Sequence, residues 1–311
     1  MSRRVFLSHA AALAALAAAA PVSAAQGDEA IIDIHQHVGY SGRGDDVFLA
    51  HQRAMGITTT ILLPAGRPVV RPSTHGGKSN GLDAQAAGNV VCQAFAEAHG
   101  GAFAFGANEV PDLEGARDEI ASYLDRGAVV IGEQKFGVAC DSPAMQDIYA
   151  LARERRVPVL MHWQYGMYNE GFERFGAVLT KYHDVNFLGH AQTWWANIDA
   201  SHRDQTVLYP KGPVTPGGLT DRYLADYHNM YGDLSAGSGH NALTRDEDFT
   251  GGFMTRHQDK LVYGSDCSDR VGSGPTCSGA ATIAVVRRLA GSKAIERKLL
   301  HDNAKKLFPR L

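Results

Sequence analysis

The stretch IIDIHQHVGY, residues 31–40, sets Asp33, His35 and His37 two positions apart inside an apolar run. On a β-strand such residues project from one face, so both imidazoles reach one point in space while Ile32, Ile34 and Gln36 face the other way. That is how a metal ion is gripped, although a pair of histidines satisfied by hydrogen bonds has the same spacing. Distant partners decide between the two. Later apolar runs end in side chains of matching chemistry: VPVLMHWQ in His162, VNFLGHAQ in His190, KLVYGSDCSD in Asp266.

Eight apolar, β-branched runs occur at 30–34, 57–63, 102–107, 128–132, 157–161, 185–189, 229–234 and 260–264. They read as fully buried strands. Amphipathic segments such as 113–127 and 143–156 alternate with them and carry glycine or proline at their ends. Strand followed by helix throughout, with no linker or internal repeat, predicts a single-domain α/β fold, a closed (β/α)8 TIM barrel over residues 26–311. An open doubly wound sheet is the alternative that strand counting leaves. In a barrel the carboxyl ends of all strands face one opening, so His35, His37, His162, His190 and Asp266 converge there. Separately buried, each would carry a cost of a few kcal/mol without a partner.

The first 25 residues, MSRRVFLSHAAALAALAAAAPVSAA, stand apart. A charged start, an alanine and leucine run and a small-x-small site make a signal peptide, and Arg3 and Arg4 before Phe6 and Leu7 give it the twin-arginine pattern of folded-protein export. The expected location is the periplasm or outside the cell; an uncleaved anchor is disfavoured by the short, alanine-dominated segment. Cleavage after Ala25 leaves 286 of 311 residues and, with two arginines lost, moves the formal charge from −3 to −5. Neither value suggests a nucleic-acid surface, and no other segment suggests a membrane. The 44% of hydrophobic residues suffices for one large core. No cysteine lies in a C-x-x-C pair, which argues against a zinc knuckle, while an oxidising compartment would allow Cys267 and Cys277 to bridge one loop. Cys92 reads as a buried helix residue.

The motifs DIHQH, VLMH, LGHAQ and VYGSD, with the closing HDNAKKLFPRL of residues 301–311, together resemble the amidohydrolase superfamily, in its amidohydrolase-related (amidohydrolase 2) branch, over the whole mature chain. The resemblance implies a (β/α)8 barrel holding a divalent metal, often zinc with manganese as the alternative, by His35, His37, His162 and Asp266, with His190 catalytic or just behind the ligands. Neutral imidazoles with one carboxylate suit zinc and leave a position for water. Water so activated would attack an amide, ester or lactone carbonyl, Asp266 carrying the proton and His190 polarising the carbonyl. Asp33 is the expected orienter of His35. VVIGEQKFG adds Glu133 and Lys135 on one face, as an additional ligand and a substrate-binding cation, or as a pair satisfying each other; one ion or two stays open.

Two long polar segments, 64–81 and 193–219, follow the second and sixth strands and belong to the active-site face. Arg67, Arg71, His75 and Lys78 make the first cationic, fit for a small acidic substrate or simply solvated. Trp194 and Trp195 would wall a ring or sugar, or pack. His240, Arg245 and Asp246 follow a glycine-rich strand end as substrate contacts or a structural pair. GKSNG at 77–81 fits a serine nucleophile elbow, but no strand runs straight into Ser79. Decarboxylation of an unsaturated or aromatic acid, and metal-dependent binding without catalysis, are the rival functions.

Overall fold

The computed structural model describes residues 29–81 and 84–311, so the signal segment lies outside the described residues. Eight parallel strands follow in chain order: β1 Ile32–Gln36, β2 Thr59–Leu62, β3 Phe103–Phe105, β4 Ile131–Gln134, β5 Val159–His162, β6 Phe187–His190, β7 Met230–Asp233 and β8 Leu261–Val262. Each strand pairs with the next from β1 to β3 and from β4 to β8. The two remaining seams are closed by backbone bonds. Val129 N donates to Phe105 O (2.9 Å), Gly132 N to Ala107 O (3.0 Å), Ile34 N to Tyr263 O (3.2 Å) and Asp266 N to His35 O (2.8 Å). The sheet is therefore a closed (β/α)8 barrel, and every one of the eight apolar runs contributes its strand.

Two buried clusters fill it. Ile32, Ile34, Val130, Leu160, Leu188 and Val262 meet Ala304, Leu307 and Phe308 in the smaller one, so the closing NAKKLF segment packs its apolar face against the interior residues of the strands. The larger cluster lies between the strands and the surrounding helices. There α4, Pro143–Arg155, shows how local sequence sets an element. Ser142 caps it by accepting from Met145 N (3.3 Å), Pro143 opens it, and Met145, Ile148, Tyr149 and Ala152 recur at helical spacing on the buried side. The segment at 113–127 forms the shorter helix Ala116–Asp125, α3 by chain order.

β1 departs from simple alternation. Its register with β2 shifts between Asp33 and Gln36. Before the shift Ile32 and Ile34 join the inner cluster and Asp33 turns to Gln52 on α1 (Asp45–Ala54); after it His35 and His37 face the barrel mouth. The expectation that Asp33 and His35 share a face is thus corrected by one irregularity in the strand. No described helix is long and apolar enough to cross a membrane.

Candidate metal centre

Six side chains from five strands meet at the barrel mouth. His35 Nε2 lies 3.6 Å from Glu133 Oε2 and 3.9 Å from Asp266 Oδ1; His37 Nε2 lies 3.6 Å and 3.5 Å from the same two oxygens. On the other side, His162 Nδ1 is 2.5 Å and His190 Nε2 3.5 Å from Glu133 Oε1, with His190 Nε2 also 3.5 Å from Asp266 Oδ2. Glu133 is 1% exposed and stands between two donor groups, one oxygen turned to each. His35, His37 and Asp266 form one triad of metal-binding type, Glu133, His162 and His190 another.

Outer partners fix the rings. His37 Nδ1 donates to Leu63 O (2.8 Å), and His35 Nδ1 to Asp233 Oδ2 (2.7 Å), which leaves both Nε2 lone pairs facing inward. The Ser235 hydroxyl donates to Asp233 Oδ2 (2.8 Å) and so accepts from His190 Nδ1 (2.9 Å), which leaves His190 Nε2 equally unprotonated. Asp233, fully buried at the end of β7, therefore sets the tautomer of two rings. Asp33, expected in that role, instead accepts from His35 N, Ser265 N, Ser265 Oγ and Gln52 Nε2, and holds the backbone of β1 against the turn after β8. Replacing Asp233 by asparagine would give His35 Nδ1–H a poorer acceptor, and divalent metal affinity should fall by about 10- to 100-fold; a metal titration of the variant checks this.

Whether a divalent ion suits these residues is tested by the buried atoms. His35 Nε2, His37 Nε2, His162 Nε2 and Asp266 Oδ1 have no hydrogen-bond partner among the described residues. Such orphans are rare in folded proteins. The spacings around the first triad exceed the usual ~2.7–3.2 Å of a hydrogen bond. They match instead the edges of a polyhedron whose centre lies about 2.0–2.2 Å from each atom. The donor set fits.

Electrostatics agree. Burial favours the neutral carboxyl of Glu133, but Lys135 and His162 outweigh it and hold the group well below its usual range. Asp266 is likewise pushed up by burial and pulled well below by His35, His190 and His37. For His35 burial works against protonation, yet Asp266 and Asp233 raise its proton affinity well above the ordinary value. Burial and Lys135 bring His162 down to about 3 despite Glu133. Asp266 has a φ of 38°, in the left-handed region, where the turn after β8 aims its carboxylate into the mouth.

The other sequence candidates divide. Lys135 lies close enough to Glu133 and His162 to act on both, with its ammonium 5.9 Å from the Tyr168 ring, and no salt bridge engages it among the described residues. Tyr40, from the opening motif but not singled out there, faces Asp266 and edges the His37 ring at 4.9 Å. Arg67 does not reach the centre: it pairs with Glu109 (2.7 Å), as Arg71 does with Asp112 (3.3 Å), so both arginines are engaged by carboxylates of the segment that follows β3. Trp194 is fully buried behind Gly189 of β6, where a Cβ would strike its ring, and Trp195 is buried beside it. Both pack in the core instead of walling a site, because residues 192–196 form a helix (α6, Gln192–Ala196) against the strands. His240, on the helix Ala236–Thr244 after β7, is half-buried near Arg288 and apart from the converging groups. Arg245 pairs with Asp199 (2.7 Å) while Asp246 caps the next helix. Ser79 donates its hydroxyl to Gly66 O and stands on no strand end, which excludes it as an elbow nucleophile. The signal that would have found Asp233 was GD at the end of the seventh run, a carboxylate at the same strand end as the histidines.

No family model and no curated protein matches the sequence. Solved structures do match. An uncharacterised TIM-barrel protein from Bordetella bronchiseptica superposes with a TM-score of 0.59 at 14% identity, over 90% of this chain and 99% of the other. A probable 2-pyrone-4,6-dicarboxylic acid hydrolase from Acinetobacter baumannii, with citric acid bound, gives 0.56 at 12%, over 90% and 99%. A 5-carboxyvanillate decarboxylase from Novosphingobium aromaticivorans, with bound manganese, gives 0.51 at 13%, over 84% and 80%. This chain has the fold of these barrels, the (β/α)8 architecture that the resemblance to the amidohydrolase-related branch implied.

Proposed function

We propose that this chain is a metal-dependent hydrolase of the amidohydrolase-related family, carried to the periplasm by its first 25 residues, that cleaves an amide, ester or lactone bond in a small acidic substrate. One observation carries the two-ion form of this reading: Glu133 presents one oxygen to His35 and His37 and the other to His162 and His190, so it bridges two donor groups. Bound there, divalent ions supply an acidified water and a Lewis acid for the carbonyl. Zinc and manganese both suit such nitrogen and carboxylate donors.

The chain's own residues do the rest. Asp266, with one oxygen toward His37 and the other toward His190, is placed to take the proton of the attacking water and return it to the leaving group. The Tyr40 hydroxyl is pushed up by Asp266 and by burial, so it remains a hydrogen-bond donor at neutral pH and can hold the substrate's carbonyl oxygen. The Lys135 ammonium supplies the cation that a substrate carboxylate requires. Two of the structural neighbours carry carboxylated ring substrates in their names, one for hydrolysis and one for decarboxylation. The pairing of two donor groups across one carboxylate favours hydrolysis, because decarboxylation needs no activated water.

The test is the full chain loaded with zinc or manganese and assayed on lactones, esters, amides and aromatic acids. Hydrolysis that chelation abolishes and metal restores is the expected result. Release of carbon dioxide from an aromatic acid without hydrolysis would transfer the site to decarboxylation, and no turnover by the loaded protein would leave a binding protein.

A further inference from the structure

A second set of soft donors lies between the Asp266 turn and two helices of the outer layer, α1 and the helix Ser278–Leu289. Cys267 Sγ is 3.4 Å from Cys277 Sγ, Cys277 Sγ is 3.5 Å from His51 Nε2 and 3.6 Å from Met55 Sδ. All four residues are buried, and both cysteines are free thiols. His51 lies on α1 and Met55, four residues on, caps its C-terminal end, Cys277 caps the helix that follows it, and Cys267 comes from the turn, so separate elements bring the donors together. Gly279 makes room for them: a Cβ there would lie 2.8 Å from Met55 Sδ.

The hydrogen bonds determine which imidazole nitrogen faces the sulfur. Gln52 Nε2 donates to Asp33 Oδ2 (2.9 Å) and Thr60 Oγ1 (2.9 Å), so Gln52 Oε1 is the atom at 3.0 Å from His51 Nδ1 and must accept its proton. His51 Nε2 is then a lone pair aimed at Cys277 Sγ, held by the same kind of outer partner that orients a metal-ligating histidine. The Cys277 sulfur also accepts from Ala280 N (3.4 Å) at the helix N-terminus.

We infer that His51, Cys267, Cys277 and Met55 form a second metal site, for one thiophilic ion, Zn(II) or Cu(I), distinct from the centre at the barrel mouth. Thiolate, imidazole and thioether are the ligands that select these ions over manganese or magnesium. Bonds of about 2.0–2.3 Å give a tetrahedral ion ligand-to-ligand edges of about 3.3–3.8 Å, the size of the three separations from Cys277 Sγ, and the donors of His51, Cys267 and Cys277 all lie within 4.8 Å of one another. On binding, each thiol releases its proton to solvent and forms one sulfur–metal bond; no electron changes hands. Two thiolates leave a divalent ion with no net charge, as burial demands. A Cys267–Cys277 disulfide would instead remove both thiol protons and leave the His51 Nε2 lone pair buried without a donor.

The experiment uses the reduced full chain under anaerobic conditions, saturated with Mn(II), then titrated with Co(II). None of the donors at the barrel mouth is sulfur, so a thiolate-to-cobalt charge-transfer absorption reports the second site alone. One equivalent should develop that absorption, should do so equally in His37→Ala, should fail to do so in Cys277→Ser, and should lose it on addition of one equivalent of Zn(II) or Cu(I). Which of the two displaces cobalt at the lower concentration identifies the preferred ion. Absence of the absorption in the wild-type chain with both thiols titratable would overturn the site, and since that readout needs no variant, a misfolded Cys277→Ser does not shelter it. An absorption that survives in both Cys277→Ser and Cys267→Ser would also overturn it.

Discussion

Replacing Asp266 by asparagine should lower kcat by about three orders of magnitude with a small change in KM. Like Glu133, this carboxylate faces rings of both donor sets, through Oδ1 at 3.5 Å from His37 Nε2 and Oδ2 at 3.5 Å from His190 Nε2. Asparagine keeps the shape and can still offer an oxygen, but it cannot accept and return a proton, and general acid–base transfer contributes roughly 10²- to 10⁴-fold. The backbone bond from residue 266 N to His35 O, which closes the barrel seam, is untouched by the change. Thermal unfolding of the variant should therefore resemble wild type. Steady-state kinetics with a matched melting curve make the check, and activity within tenfold of wild type would remove Asp266 from the proton path.

Glu133→Gln is the second large effect. Its two oxygens are shared between the donor pairs, and a carboxamide offers one oxygen and one NH2 in their place. The NH2 would face two rings whose lone pairs already point inward, or would displace the His162 Nδ1 contact. Metal affinity should drop by more than about 100-fold, beyond the loss typical of an outer partner, and the bound stoichiometry should fall from two ions to at most one. A direction in pH follows as well. In the metal-free centre burial opposes a proton on His35, but Asp266 and Asp233 outweigh it and hold one well above the ordinary value. An entering ion must displace that proton, so apparent affinity should fall as pH falls through the neutral range, with protons released on binding. Calorimetry in two buffers of different ionisation enthalpy measures the release.

Much of this centre was legible in the sequence because barrel topology makes strand ends equivalent. His35, His37, His162, His190 and Asp266 each follow an apolar run, and parallel pairing sets them around one opening. What the sequence could not express was a departure from alternation. The shift in β1 turned Asp33 outward to Gln52 while its neighbours faced in, and the orienting role passed to Asp233, nearly 200 positions away in the chain. His190 is likewise placed with the donors, at 3.5 Å from both carboxylates, where the motif left a choice between catalysis and support. Trp194 and Arg67 missed for a common reason: a loop's length says that it lies near the site, not which way its side chains turn. The tryptophan found the core, and the arginine found Glu109. His51 and Met55 carried no motif at all; only the packing of α1 against the Asp266 turn brings them to Cys277.

The most direct test of a bridged metal centre is a Mn(II) titration of the chain read by electron paramagnetic resonance. Manganese is a hard ion that leaves the buried sulfur cluster alone, so each equivalent taken up belongs to the barrel mouth. Two equivalents per chain, with the signal of magnetically coupled ions in wild type and loss of that coupling in Glu133→Gln, is the result expected. Uptake of no manganese, or uptake that His37→Ala and Glu133→Gln leave unchanged, would contradict the account.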